Sequence, residues 1–98
     1  MKFIFDPRAE KFLDKLKSSE RSKVYEYIAL FEEYGFGLDQ RYLKKIKASV
    51  WELRPGRVRL FIYKGTGKLV VVHAVHKKTQ KIPKKELKTI DSRIKQYL

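Results

Sequence analysis

The side chains best suited to chemistry alternate along two apolar segments, Val50–Arg54 and Val58–Tyr63, which flank a Pro-Gly pair. A two-residue turn at this pair predicts a β-hairpin with Arg54 opposite Arg57. Successive residues of a strand point to opposite faces of a sheet. One face of the hairpin is therefore expected to carry the charged and aromatic side chains, which are Glu52, Arg54, Arg57, Arg59, Phe61 and Tyr63.

The same register places Glu52 opposite Arg59 and leaves the two arginines at the turn facing each other. Like charges directly opposite are mildly destabilising, and an anion bound between them would relieve the repulsion. The alternative is that Arg54 and Arg57 point into solvent beside an ordinary Glu52–Arg59 cross-strand pair. Both interpretations fit these residues.

Arginines interleaved with aromatic residues are typical of proteins that bind single-stranded nucleic acid. Guanidinium groups form bidentate, charge-assisted hydrogen bonds with phosphates. Unpaired bases stack on aromatic rings, which is the role expected of Phe61 and Tyr63. The alternative is that both rings pack against the sheet.

The two histidines lie in the last predicted strand and cannot chelate one metal ion, because residues three apart on a strand face opposite sides. The chain has no cysteine, so neither a metal site nor a cofactor is expected. His73 is interpreted as a core residue, although a three-residue turn before its strand would place it opposite Arg59. His76 is the better candidate for chemistry because it precedes three lysines that could bind phosphates: Lys77, Lys78 and Lys81.

The elements that position these residues follow from hydrophobic spacing. Lys2–Phe5 is a predicted strand, and two helices follow as a hairpin, the first capped by Asp6 and the second ended by Gly35. Segment 37–49 is predicted only as a connector. Apolar alternation then predicts a three-stranded antiparallel meander with a doubly covered third strand, Leu69–His76, and a C-terminal helix. The expected fold class is α+β.

Length and charge limit the possible functions. Ninety-eight residues predict a single domain, 1–98. No stretch approaches the roughly 20 apolar residues of a membrane helix, so a cytoplasmic protein without membrane contact is expected. The net charge is +13, and residues 40–98 carry +14 while residues 1–39 carry −1. A polyanionic partner is therefore expected for the C-terminal part alone.

Three segments of the chain resemble RelE-superfamily toxins of toxin–antitoxin systems, with the greatest likeness to their phage-derived HigB-like branch. Val50–Arg54 resembles the branch's "LWELR" strand, and Arg57–Tyr63 resembles its "YRVLYF" strand. The segment His73–Pro83 resembles "HGFxKKTQKTP", which is the most specific of the three. The resemblance implies a RelE-like microbial RNase fold over nearly the whole chain.

The resemblance also implies an activity and partners. It implies ribosome-dependent cleavage of mRNA and neutralisation by a cognate antitoxin, expected to be acidic, with operator DNA bound only through the toxin–antitoxin complex. The family's catalytic arginine falls on Arg59, and its basic residue after the last strand falls on Lys78. Glu52 stands where many relatives have a lysine, and Lys84 stands near the position of a catalytic tyrosine.

RNA can be cleaved without a metal ion when its own 2′-hydroxyl attacks the adjacent phosphate, which requires a base, an acid and positive charge. Arg59 is expected to supply that charge, with Arg54 and Lys78 on neighbouring phosphates. His76 and Glu52 remain alternatives for the base, and a lysine would serve only with a depressed pKa. The rival functions are a non-catalytic nucleic-acid-binding module and an antitoxin-dependent co-repressor.

Overall fold

The computed structural model describes residues 2–98 and contains one mixed sheet with three α-helices. The elements in chain order are β1 (Lys2–Phe5), α1 (Pro7–Asp14), α2 (Ser18–Tyr34), β2 (Leu43–Lys47), β3 (Val50–Leu53), β4 (Val58–Gly65), β5 (Lys68–His76) and α3 (Lys84–Ile94). Short 3-10 helices follow α2 at Gly35–Gly37 and α3 at Lys95–Tyr97. Among residues 2–98, no helix is long and apolar enough to cross a membrane.

The five strands are arranged in the order β1-β5-β4-β3-β2. The predicted α+β class is confirmed, and β3, β4 and β5 form the predicted antiparallel meander. The sheet also extends on both sides of this meander. The N-terminal strand β1 pairs in parallel with β5, and β2 pairs with β3 within the segment that was predicted only as a connector.

Two separate hydrophobic cores cover the two faces of the sheet. Helices α1 and α2 cover one face through the α1–α2 core, whose buried residues include Leu13, Ile28 and Leu60. Helix α3 covers part of the opposite face through the α3 core, where Ile90 packs with residues that include Phe61. Strand β5 contributes to both cores, which confirms that it is covered on both faces.

The predicted register of the β3–β4 hairpin is wrong by two residues. Leu53 pairs with Leu60, and Glu52 therefore lies opposite Phe61 rather than Arg59. The cause is a wider turn, because the Arg54 amide leaves the hairpin and donates to the carbonyl of Tyr42. An even shift preserves the faces of a strand, so the predicted core face is correct although the predicted pairs are not.

The β4–β5 hairpin has a tight turn and a shift in register that determines which residue lies opposite His73. Gly65 pairs with Lys68, and Gly67 between them has a φ of 69° that suits glycine. The register shifts between Phe61 and Ile62, and His73 consequently lies opposite Phe61 on the α3 side. The alternative register, with His73 opposite Arg59, is not observed.

A buried carboxylate joins the beginning of the chain to its end. Asp6 is fully buried and caps α1 by accepting hydrogen bonds from the backbone N–H of Arg8 at 2.9 Å and from its guanidinium at 2.9 and 2.7 Å. The hydroxyl of Tyr97 donates to the same carboxylate at 2.7 Å. The hydrogen bond from the Arg8 side chain is the main reason why the pKa of Asp6 is well below its usual range.

We expect Asp6→Asn to lower the free energy of unfolding at pH 7 by about 2 kcal/mol, since hydrogen bonds to a charged group contribute about 1.5–3 kcal/mol. Because the pKa of Asp6 is lower in the folded state, its stabilisation is present above the unfolded-state value of about 3.9 and lost below it. Urea denaturation at pH 7 and pH 3 should therefore show a smaller difference between the two proteins at pH 3. Asp14→Asn, on the exposed side of α1, is the control; an equal effect of both changes at pH 7 would contradict the role of Asp6.

Candidate functional site

A cleft of about 590 Å³ lies on the α3 side of the sheet, where the helix leaves the face open. Its floor is formed by residues of β3 and β4, and its wall by segment 77–83 and the first turn of α3. Pro83 lies directly before α3, and the seven residues 77–83 separate the helix from the end of β5 at His76. This arrangement separates the wall from the floor and opens the cleft.

Charged side chains are buried at the floor of the cleft. Glu52 and Arg59 are only 7% and 8% exposed. Arg54 extends beside them, with its Nε 3.4 Å from the Glu52 carboxylate and its Nη1 donating to the carbonyl of Gln40 at 3.2 Å. Glu52 forms an ion pair with Arg54 alone and Arg59 has no carboxylate partner in the described residues, so the floor keeps an excess positive charge that an anion would balance.

Arg59 is held in place through one nitrogen. Its Nη1 donates to the carbonyls of Gly56 at 2.7 Å and Val58 at 2.9 Å, which fixes the guanidinium inside the wide β3–β4 turn. Within residues 2–98, its Nε and Nη2 form no hydrogen bond. Burial lowers the pKa of Arg59, while the charge of Glu52 raises it. An arginine remains protonated at neutral pH. Arg59 therefore provides a fixed positive charge, and its Nε and Nη2 can still donate hydrogen bonds to a ligand.

Lysines surround this floor. Lys44 enters from β2, opposite Glu52, and the other three lie on the wall: Lys77, Lys78 and Lys81. The wall is shaped by short hydrogen bonds, since the Lys77 amide donates to the Arg57 carbonyl and the Thr79 hydroxyl donates to the Lys81 carbonyl, both at 2.6 Å. Six basic and two acidic side chains line the cleft, so its field attracts a polyanion.

His76 lies at the rim of the cleft, at the end of β5. Its Nε2 is 3.1 Å from a carboxylate oxygen of Glu20, and the edge of the Phe12 ring packs against the imidazole at a centroid distance of 5.2 Å. The side chain is 43% exposed. His76 is thus oriented by the helical half of the chain and still accessible to a ligand.

His73 is anchored between α3 and the sheet, in agreement with its interpretation as a core residue. Its Nε2 lies 2.9 Å from the Glu86 carboxylate, and Arg93 donates to its Nδ1 at 3.1 Å. Burial lowers the pKa of His73, which keeps the ring neutral at pH 7. Within the described residues, no group of three or more acidic, histidine or cysteine side chains could hold a metal ion.

The structure does not bring all predicted site residues into the cleft. Phe61 does border the cleft, but its side chain is only 1% exposed and packs in the α3 core against the His73 ring, so almost no ring surface is open to a base, which contradicts a stacking role. Tyr63 borders a different cavity, and Arg57 is exposed outside the cleft. Lys84 begins α3 and does not line the cleft.

Two residues of the site, Lys44 and Glu20, were not predicted from the sequence. Lys44 lies on β2, whose two apolar residues, Leu43 and Ile46, are three positions apart and do not show the alternation of a strand. Glu20 lies 56 positions from His76, and no local pattern connects them.

Comparisons with known proteins agree with this architecture. The structure is similar to the isolated RelE toxin of E. coli, with a TM-score of 0.62 and 18% identity over 91% of this chain and 97% of that one. It is also similar to RelE in the RelB–RelE antitoxin–toxin complex of Methanococcus jannaschii, with a TM-score of 0.59 and 19% identity over 74% of this chain and 88% of that one. No curated protein matches the chain.

The likeness to the two RelE structures confirms the expected RelE-like fold. The sequence itself matches a family model over residues 11–95, which include α2, every strand of the cleft and all of α3. That model describes phage-derived Gp49-like proteins. Because the match spans most of the sequence and all of the cleft's charged residues, the chain belongs to the phage-derived Gp49-like family.

Proposed function

We propose that this protein is the toxin of a toxin–antitoxin system and acts as a ribosome-dependent mRNA endoribonuclease that inhibits translation. The observation that carries the proposal is the cleft, where buried Arg59 and half-buried Arg54 lie beneath a rim of lysines on a RelE-like fold. A basic, concave surface of this kind fits a phosphodiester backbone better than a neutral small molecule.

The proposed reaction is attack by the RNA 2′-hydroxyl on the adjacent phosphate, without a metal ion. The phosphorus passes through a phosphorane with additional negative charge, which Arg59 stabilises through its Nε and Nη2 donors. Arg54 and Lys78 hold the neighbouring phosphates, with Lys77 and Lys81 extending the contact along the wall. The 5′-oxygen leaves with a proton from a general acid.

We favour His76 over Glu52 as the general base. Glu52 is buried at the floor with the guanidinium of Arg54 beside its carboxylate, so it is poorly accessible to a 2′-hydroxyl. His76 is accessible, and a neutral imidazole that donates from Nε2 to Glu20 leaves Nδ1 free to accept the 2′-hydroxyl proton. Glu20 would then position the ring and stabilise the imidazolium that forms.

The cleft also suggests how the proposed toxin is neutralised. An excess of lysine and arginine along an open groove is complementary to an acidic protein segment, and we propose a cognate acidic antitoxin as the partner. The M. jannaschii structure is an antitoxin–toxin complex of a protein with the same fold. Operator DNA would be bound only through such a complex, and the toxin would act in the cytoplasm on mRNA at the ribosome.

Induced expression followed by mapping of mRNA 5′ ends tests the proposed function. We expect growth arrest together with new ends inside coding regions, and a loss of both in His76→Gln, because glutamine cannot take up the 2′-hydroxyl proton. Lys95→Gln, on the exposed surface beyond α3, is the control and should cleave like the unmodified protein. Growth arrest without new mRNA ends would instead indicate a non-catalytic nucleic-acid-binding protein.

A further inference from the structure

A second basic and aromatic surface lies on the other side of the sheet edge from the cleft. We call it the Trp51 surface and define it as Phe36, Lys45, Trp51 and Lys64. The rings of Phe36 and Trp51 are 4.5 Å apart. The Lys45 Nζ lies 5.2 Å from the Trp51 ring centroid, and the Lys64 Nζ lies 5.0 Å from that of Phe36.

Three of the four side chains of the Trp51 surface are exposed, and Trp51 is half-buried against the α1–α2 core. Phe36 is 36% exposed in the short 3-10 helix after α2, and both lysines are exposed. Over residues 2–98, neither lysine forms an ion pair with a carboxylate, whereas their neighbour Lys47 pairs with Asp91. Two aromatic rings and two cations without counter-charges are the groups that bind a base and its flanking phosphates.

Strand β2 connects this surface to the cleft. It is an edge strand whose consecutive residues point to opposite faces. Lys44 lines the cleft, while Lys45 lies over Trp51 beside a shallow cavity of about 540 Å³. The edge is therefore positively charged on both faces, so a polyanion that leaves the cleft at Lys44 can cross to Lys45.

We propose that the Trp51 surface is a second RNA-contact site, which binds an unpaired stretch of the RNA strand that occupies the cleft. A base stacks on the exposed face of Phe36 or Trp51, and the adjacent phosphates are bound by Lys45 and Lys64. The inference rests on the proposed function in taking RNA as the ligand, and it adds a site that plays no part in the cleavage step.

The single tryptophan of the chain makes this site directly observable. The probe is a 2′-O-methyl oligouridylate of 12 nucleotides, which has no free internal 2′-hydroxyl and is not cleaved. We compare the unmodified protein with Lys45→Glu/Lys64→Glu and with a control of equal charge change, Lys88→Glu/Lys95→Glu, whose lysines are exposed and line neither cavity. Binding is measured by anisotropy of a label on the oligonucleotide, and stacking by fluorescence of Trp51.

We expect the oligonucleotide to quench Trp51 fluorescence in the unmodified protein and in the control. In the Lys45/Lys64 variant we expect loss of the quenching and an affinity at least tenfold weaker than in the control. The slope of the logarithm of the binding constant against the logarithm of the salt concentration should become shallower by about 1.4, which is about 0.7 for each of the two lost phosphate contacts. Binding without any change in Trp51 fluorescence would overturn the proposal, as would equal affinities of the two variants. Neither result would bear on the proposed cleavage in the cleft, because the experiment measures binding of an RNA that is not cleaved.

Discussion

Arg59→Ala is expected to lower mRNA cleavage by about 100- to 1000-fold and to abolish growth inhibition, the usual cost of removing a donor that stabilises transition-state charge. The guanidinium is fixed at the cleft floor by two backbone carbonyls, which both accept from Nη1, and we propose that its Nε and Nη2 donate to the phosphorane. The rate of mRNA cleavage on isolated ribosomes measures the loss, and growth after induction measures its consequence.

Arg57→Ala is the matched control for this change. It removes the same type of side chain two residues earlier in the chain, but Arg57 is exposed and does not line the cleft. We expect it to cleave like the unmodified protein. Circular dichroism establishes that each variant is folded, and Arg59→Lys provides a second test if loss of the two carbonyl contacts unfolds the alanine variant. A folded Arg59 variant that cleaves at the full rate would refute the assignment.

Phe61→Ala is expected to lower the free energy of unfolding by about 3–5 kcal/mol, the usual cost of removing a large aromatic side chain from a core. Phe61 is among the largest fully buried side chains and joins β4 to α3 and to the ring of His73. Its loss would leave a cavity under the wall of the cleft. Urea denaturation of the purified protein measures the change.

Phe36→Ala gives the comparison, because it removes the same ring from an exposed position. We expect a clearly smaller loss of stability there, together with weaker binding to single-stranded RNA. The two phenylalanines thus separate a core role from a stacking role. A stable Phe61→Ala protein that loses RNA affinity would show that the ring of Phe61 stacks on bases after all.

Much of the fold could be predicted because it depends on local periodicity. The alternation of β3 and β4 gave the correct faces even though the register was wrong by two residues, since an even shift leaves every side chain on its side. Strand β2 was missed because its two apolar residues, Leu43 and Ile46, are three positions apart and face opposite sides of the sheet, so the period of two that predicts a strand is absent. The pairing with β3 defines β2 as a strand, and the five residues of β2 do not reveal this pairing by themselves.

The composition of the site was harder to predict than its location. Arg59 and Glu52 were expected on one face, but their burial depends on how far α3 extends over that face, which is a tertiary property. Phe61 shares its face of β4 with Arg59 and also borders the cleft, but its ring is covered in the α3 core, which the alternation of β4 does not reveal. The contact between Glu20 and His76 crosses from one half of the chain to the other.

The contact between Asp6 and Tyr97 has a consequence for the order of events during synthesis. It joins residues 91 positions apart, so it can form only after Tyr97 has left the ribosomal exit tunnel. The wall of the cleft and α3 also emerge after the strands that form its floor. A nascent chain consequently lacks a complete cleft until α3 has emerged, which would delay the proposed activity against the ribosome that is making it.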